Sequence, residues 1–386
     1  MFIAKAELSE HQGRYYYAAT VTIDNKNIEF PPQAWFAVEG DQYDLLSKLG
    51  DAFLIGLLPI AMKLGEDIEV SDPISSTVAH GIVSYIDVLC SWWPDLFKPI
   101  KVNFTSIVYR KDEKRPQGVG VCFSGGADSF YTLLKHLKEN EPVEDFRITH
   151  ALMINGFDQI ADYRGDGISQ EMFNCFAPML ERLGVKPLMI TSNIKLFRSC
   201  VFENKEQIFS FGSVLISCVH AFAPVFGRFY ISGHASWAYE DLFPIGAHPV
   251  LDSLLSSDQL QIIHECSKEG RAGKIQNICD NEEVKNYLRV CFRPYKFEKV
   301  TGKPINCGQC EKCIRTLIVL DILDKRSEIT TFPLDVSISK FQHPESLAQH
   351  ILTIFLKESL ELAKLAGKED WINSLEQALL LQQNQN

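Results

Sequence analysis

The chain has 386 residues, of which 46% are hydrophobic and 23% charged, so it can bury a large core and exceeds one domain of typical size. Its formal net charge of −11 argues against a large nucleic-acid footprint, because phosphate backbones are bound by clustered lysine and arginine. The first residues lack the apolar core of a signal peptide, and the longest apolar stretch, residues 52–62, is too short to span a bilayer. We therefore expect a cytoplasmic protein without membrane association, whose 11 cysteines serve as buried thiols, catalytic groups or metal ligands.

Residues 1–114 are predicted to form an α+β module of their own. Strand patterns occur at residues 3–8, 14–24 and 100–109, and helical patterns at 41–64 and 75–93. The charged stretch 110–116, which ends in a proline, is the predicted domain boundary.

From residue 118 onward, strand and helix patterns alternate, which indicates an α/β fold with a parallel sheet and helices on its faces. The predicted strands are residues 118–123, 148–154, 187–191 and 228–232, with a fifth at 274–278. The predicted helices are residues 127–138, 169–183 and 205–226. In such sheets ligands bind beyond the carboxyl ends of the strands, where the strand order reverses. Polar residues that follow a strand, such as Asn155 and the Ser192–Asn193 pair, are therefore candidates for the binding crevice.

The stretch Ser124-Gly125-Gly126-Ala127-Asp128-Ser129 joins the first of these strands to a helical pattern. The two glycines permit a tight turn whose N–H groups can bind an anion at the positive end of the following helix. The serine hydroxyls can donate to phosphate oxygens, and Asp128 can orient the loop or reach Mg²⁺. An ordinary strand-to-helix connection is the alternative. The full string resembles the PP-loop of the ATP pyrophosphatases, which implies that all six residues bind ATP and that attack occurs at the α-phosphorus.

Two further groups of residues are weaker candidates. Arg271 and Lys274 could reach the α-phosphate or the leaving pyrophosphate, although a solvated basic pair fits the sequence equally well. The loop after the fourth predicted strand contains His234, Tyr239 and Asp241, which we expect to line the pocket of a second substrate. The alternative for these residues is a polar surface loop.

Four cysteines supply the second strong motif. Cys307, Cys310 and Cys313 are spaced by two residues ahead of a predicted helix at 314–323, and Cys291 lies upstream. Four thiolates predict a tetrahedral structural zinc site without an open coordination position. An iron–sulfur cluster needs the same ligand count, but the proline that ends the bacterial ferredoxin run is missing. A redox-active pair fits three evenly spaced thiols poorly.

A PP-loop domain followed by this cysteine arrangement resembles the 7-cyano-7-deazaguanine synthases, the QueC family. The resemblance covers about residues 118–324 and implies a Rossmann-like, HUP-type sheet domain, here placed at residues 118–340, with a zinc-bearing loop. It implies that ATP adenylates 7-carboxy-7-deazaguanine and that ammonia displaces AMP, with the amide then dehydrated to a nitrile. It adds Gly233 to the ATP site and Asn204 to the substrate site. We expect Asp128, Ser129 and Lys274 to take part in catalysis.

The chain departs from that family in its amino-terminal module, in a longer gap between Cys291 and Cys307, and in a helical region at residues 344–386. Relatives with added regions occur in bacterial antiviral operons, which would allow a protein amine to replace ammonia as the acceptor. Residues 344–382 predict a two-helix hairpin that packs on its own domain or, alternatively, forms a homodimer or partner interface.

Two other functions are compatible with a PP-loop. A tRNA-modifying enzyme would need a basic groove and two catalytic cysteines, which the net charge and the metal-like cysteine spacing oppose. An inactive scaffold that binds a partner has no chemical need to keep both glycines and Asp128. An amidotransferase of the asparagine-synthetase kind would need an amino-terminal cysteine nucleophile, which the chain lacks.

Overall fold

The structure, a computed structural model, describes residues 1–110, 112–157, 167–236, 245–291, 305–333, 336, 338 and 342–384. Within these ranges the chain is an α/β protein built on one mixed sheet of eleven strands. The strands are β1 (Phe2–Ile3), β2 (Glu7–His11), β3 (Arg14–Thr22), β4 (Gln33–Glu39), β5 (Ile68–Val70), β6 (Ile74–Ser75), β7 (Val102–Phe104), β8 (Ile107–Val108), β9 (Gly118–Cys122), β10 (His150–Asn155), β11 (Lys186–Ser192), β12 (Phe226–Ser236) and β13 (Gln261–Ser267). Strands β6 and β8 form a separate pair.

The order across the large sheet is β13-β12-β9-β10-β11-β4-β3-β1-β5-β7, with β2 paired to β3. The five strands from β9 to β13 pair in parallel, whereas β4 joins β11 in the antiparallel direction. The helices of the described ranges are α1 (Asp51–Leu64), α2 (Ser76–Trp92), α3 (Ala127–Lys135), α4 (Gly167–Arg182), α5 (Ile194–Val201), α6 (Phe211–Ala221), α7 (Pro249–Asp252), α8 (Arg271–Ile278), α9 (Glu282–Tyr287), α10 (Glu311–Ile322), α11 (Pro344–His350), α12 (Thr353–Ala366) and α13 (Glu369–Gln383).

The predicted α/β class is confirmed, and the first four predicted strands of the parallel part correspond to β9, β10, β11 and β12. The predicted fifth strand is wrong, because residues 274–278 belong to helix α8. The apolar residues Ala272, Ile275 and Ile278 recur every three positions and are all buried, as on one face of a helix. The fifth strand is β13, which pairs in parallel with β12.

The amino-terminal module continues the sheet that contains the parallel strands. Strand β4 pairs with the end of β11, and the side chain of Asn193 accepts a hydrogen bond from the Trp35 N–H and donates one to the Gln33 carbonyl, both at 2.8 Å. The Ser192 hydroxyl donates to the Trp35 carbonyl at 2.8 Å. The Ser192–Asn193 pair, predicted to be a candidate for the binding crevice, therefore makes contacts that hold the module against the sheet. One hydrophobic cluster contains buried residues of both regions.

The carboxyl-terminal region contains three helices, so the predicted two-helix hairpin is incomplete. Helices α12 and α13 do form a hairpin around Gly367, which has a φ of 65°, and Thr353 donates to Gln382 at 2.7 Å across its open end. Helix α11 packs on α13, while α12 packs on α8 and α10 of the preceding domain. In the described part of the chain, no helix has both the length and the apolar character needed to cross a bilayer.

Candidate active site

The Ser124–Ser129 turn follows β9, the strand at which the order of the parallel strands reverses. The next strand along the chain, β10, pairs on one side of β9, and the later strand β12 pairs on the other. A crevice is expected beyond the carboxyl ends of these two neighbours, because their connections leave in opposite directions. The turn therefore lies where a ligand is expected in a sheet of this type.

The turn is held in shape by hydrogen bonds within itself and to one neighbouring segment. Gly125 has a φ of 73°, and its carbonyl accepts a hydrogen bond from the Arg289 N–H at 2.7 Å. The Ser129 hydroxyl donates to the Gly126 carbonyl at 3.0 Å. Helix α3 begins at Ala127, directly after Gly126, so the positive end of its dipole lies at the turn.

Replacing Gly125 by alanine is expected to destabilise the turn and to abolish anion binding. A Cβ at this position would lie 2.4 Å from the Phe176 ring, and the left-handed backbone by itself costs about 1–2 kcal/mol for a non-glycine residue. Thermal unfolding and pyrophosphate titration would measure both effects. Gly184→Ala is the matched control, because Gly184 has the same φ of 73° but a Cβ there would meet open space. Equal behaviour of the two variants would contradict a special role for the Gly125 turn.

Asp128 lies between two basic side chains that come from helix α8. Its Oδ2 is 2.7 Å from Arg271 Nη2, and its Oδ1 is 3.1 Å from Lys274 Nζ. Lys274 is only 1% exposed and also donates to the carbonyl of Gly233 on β12. Because a buried ammonium group requires hydrogen-bonding partners, Lys274 joins the Ser124–Ser129 turn, α8 and β12 into one polar cluster.

A pocket of about 90 Å³ opens above this cluster. Its lining consists of Ser124, Gly126, Asp128, Ser129, Arg271, Arg289, Val290, Cys291 and Lys312. Three of these side chains are cationic and one is anionic, in a chain whose net charge is −11. The volume is below the roughly 300 Å³ or more of a site for a drug-sized ligand, so a group of about the size of a phosphate would fit into it.

The four predicted metal ligands, Cys291, Cys307, Cys310 and Cys313, come together and are all buried. Their sulfur atoms all lie within 4.8 Å of one another, and three of the Sγ–Sγ distances are 3.4, 3.8 and 3.9 Å. A tetrahedral zinc with bonds of about 2.3 Å requires sulfur atoms about 3.8 Å apart. The cluster is therefore compatible with a bound zinc ion.

Two features of the surroundings favour a metal in this cluster. The N–H groups of Gln309 and Cys310 point at Cys307 Sγ from 3.4 and 3.3 Å, which stabilises a thiolate. Hydrogen bonding with Cys291 and Cys310, together with burial, raises the pKa of the Cys313 thiol far above its usual range. A cation among the four sulfur atoms would offset the cost of deprotonating the thiols, because it favours the deprotonated form of each cysteine.

The side chain of Asn306 ties the two parts of the cysteine cluster together. Its oxygen accepts hydrogen bonds from the N–H groups of Val290 and Cys291 at 2.8 and 3.1 Å, and its amide group donates to the Leu288 carbonyl at 2.8 Å. Asn306 is 1% exposed. The segment that carries Cys291 and the loop that carries the other three ligands are therefore connected by protein hydrogen bonds as well as by the shared sulfur cluster.

The other predicted site residues are scattered over several elements. Asn155 is buried at the end of β10 and donates to Thr191 at 3.4 Å, and Ala127 is buried at the start of α3. Asn204 is exposed after α5 and does not line the phosphate pocket. His234 belongs to β12. Tyr239 and Asp241 lie outside the described residues.

Sequence reasoning missed Arg289 and Lys312, two basic residues of the pocket. Both are close to the cysteine motif in sequence, since Arg289 precedes Cys291 by two residues and Lys312 lies between Cys310 and Cys313. Their positions beside predicted metal ligands were the available signal. The cysteine cluster thus borders the phosphate pocket directly.

Comparison of the chain with protein-family models, with curated proteins and with solved structures returns no match.

Proposed function

We propose that this protein is an AMP-forming ligase of the PP-loop type that uses ATP to adenylate a carboxylate. The main support is the placement of Asp128 between Arg271 and Lys274 in a turn that follows the central strand of the parallel part. Arg289 and Lys312 add positive charge to the same pocket, which suits a pyrophosphate group. Asp128 would hold Mg²⁺, which would neutralise part of the phosphate charge.

The chemistry consists of two transfers. A carboxylate oxygen of the substrate attacks the α-phosphorus of ATP, the bond to the β,γ-pyrophosphate breaks, and pyrophosphate leaves. An amine nitrogen then attacks the acyl carbon, AMP leaves with the electrons of the broken bond, and a proton is released from nitrogen. The basic residues of the pocket would stabilise the charge that develops on pyrophosphate during the first step.

The proposed carboxylate is 7-carboxy-7-deazaguanine, and the basis for it is the combination of the PP-loop with the cysteine cluster. Ammonia as the acceptor would give the amide, and a second activation by ATP, in which the amide oxygen leaves with AMP and the nitrogen loses its protons, would give the nitrile. A protein amine as the acceptor would give a deazaguanine conjugate instead. Zinc in the cysteine cluster would have a structural role, because the four thiolates leave no coordination position for a substrate.

Isotope transfer provides a direct test. Protein incubated with ATP, Mg²⁺, ammonium and 7-carboxy-7-deazaguanine labelled with ¹⁸O in its carboxylate is expected to release AMP that carries one ¹⁸O. The label moves because the attacking carboxylate oxygen stays with AMP when the amine displaces it. Mass spectrometry of AMP and of the purine product measures the outcome.

Omission of the carboxylate is the control, and it should leave ATP intact. Release of ADP, or of AMP without the label, would contradict adenylation of the carboxylate. A labelled acyl-adenylate that is consumed only after addition of a protein fraction would identify a protein amine as the acceptor.

A further inference from the structure

A buried carboxylate of helix α12 contacts the start of helix α8. Glu358 is 6% exposed, and its Oε2 accepts a hydrogen bond from the Ala272 N–H at 3.1 Å at the start of α8. Gly270, the residue before α8, allows this close approach, because a Cβ there would lie 2.1 Å from Glu358 Oε1. Glu358 therefore caps the helix that carries Arg271 and Lys274.

The charge balance of this region explains why a carboxylate is needed there. Arg271 and Lys274 lie in the first turn of α8, where the positive end of the helix dipole disfavours cations. Burial raises the pKa of Glu358, and hydrogen bonds from the Ala272 and Arg271 N–H groups and the charges of Arg271 and Lys274 oppose that effect. Glu358 thus compensates an unfavourable arrangement of positive charge.

Arg315 of helix α10 adds a third cation to this cluster. Its guanidinium lies 4.0 Å from the centre of the Phe355 ring of α12 and 3.2 Å from Glu311. Burial and the charge of Arg271 lower the pKa of Arg315 to about 10. Three cations are therefore crowded near the pocket, and the negative charges of Asp128, Glu311 and Glu358 balance them.

We propose that helix α12 is a working part of the phosphate site, in which Glu358 is a positioning residue that holds Arg271 toward Asp128 and the pyrophosphate of ATP. This inference rests on the proposed function, since it assumes that the pocket receives pyrophosphate. It assigns a role to the carboxyl-terminal helices, for which the adenylation chemistry alone gives no reason. Without the Glu358 carboxylate the first turn of α8 loses a hydrogen-bond acceptor, so Arg271 is no longer held in its position beside Asp128.

Binding of magnesium pyrophosphate, followed by calorimetry, tests this role without requiring turnover. Glu358→Gln keeps the size of the side chain and removes its charge, and it is expected to raise the Kd by about tenfold, within the range of coupling between neighbouring residues. Gly270→Ala should have a similar effect, because the added methyl group displaces the carboxylate from the other side. Glu361→Gln changes an exposed acid of the same helix and should leave the Kd within about twofold.

A double-mutant cycle separates positioning from general stability. If Glu358 acts through Arg271, Glu358→Gln should cause no further loss in an Arg271→Gln background. In the AMP assay the single variant should raise the KM for ATP with little change in kcat. Thermal unfolding identifies any variant that does not fold, in which case Gly270→Ala serves in its place.

The possible outcomes distinguish the two proposals. Unchanged pyrophosphate affinity in folded Glu358→Gln and Gly270→Ala, or equal losses with and without Arg271, would overturn the positioning role while leaving adenylation intact. Wild-type protein that binds pyrophosphate but forms no AMP would overturn the proposed reaction alone. Wild-type protein that binds no pyrophosphate would overturn both.

Discussion

Asp128→Asn is expected to lower AMP formation by at least about 100-fold, the usual cost of removing one electrostatic contact to a transition state. Asparagine has nearly the same shape, but it leaves Arg271 and Lys274 without their shared negative partner and is a poor ligand for Mg²⁺. Single-turnover measurement of AMP, together with thermal unfolding of the variant, would show whether chemistry is lost while the fold is kept.

The matched control for this variant is Asp280→Asn. Asp280 also pairs with a lysine, Lys325, at 2.7 Å, but its side chain is 74% exposed and it is not part of the pocket. We expect it to keep full activity, because exposed ion pairs contribute little. A folded Asp128→Asn protein that turns over as fast as the control would remove Asp128 from the active site.

Cys310→Ser is expected to reduce bound zinc from about one equivalent to less than about half, because a serine hydroxyl replaces one of four thiolates. A structural zinc contributes several kcal/mol, and 1 kcal/mol corresponds to about 2–4 °C, so the Tm should fall by about 10 °C. Pyrophosphate affinity should fall as well, because Cys291 and the neighbouring cationic residues Arg289 and Lys312 line the pocket. Metal analysis, thermal unfolding and titration measure the three effects.

Cys279→Ser provides the comparison, since Cys279 is 3% exposed and lies outside the cluster. It should retain its zinc and its pyrophosphate affinity. If the wild-type protein instead contains stoichiometric iron and absorbs light as an iron–sulfur cluster does, the four cysteines hold such a cluster and not zinc. Full zinc content in Cys310→Ser would exclude the cluster as the metal site.

Local sequence patterns predicted an element correctly where the spacing of its own apolar residues determines whether it is a strand or a helix. Strand β9, the turn after it and helix α3 were predicted nearly at their observed bounds, because a buried apolar run, two glycines and a helical stripe occur in succession. The assignment failed at α8 and β13. Residues 271–278 are short and mixed in character, and their helix depends on tertiary contacts such as the cap from Glu358, 86 residues away from Ala272.

The same difference between local sequence patterns and tertiary contacts applies to the residues of the candidate site. The cysteine spacing was enough to predict that these four residues cluster, because the residue types and short separations of a metal site are visible in a sequence. Arg289 and Glu358 have no such signature, since one is an isolated basic residue and the other lies on a helix with an ordinary amphipathic pattern. Only the folded arrangement shows that both contact the phosphate turn or its supporting helix.

The sequence by itself predicted the α/β class, the glycine turn after the first parallel strand and the cluster of four cysteines, since each depends mainly on residue type and local spacing. The tertiary structure decided how the flanking regions are used. It joins the amino-terminal strands to the edge of the parallel part through Ser192 and Asn193, and it places Glu358 at the start of α8, where Glu358 accepts a hydrogen bond from the Ala272 N–H. These contacts join residues far apart in the chain, and their geometry exists only once the sheet and its helices have packed.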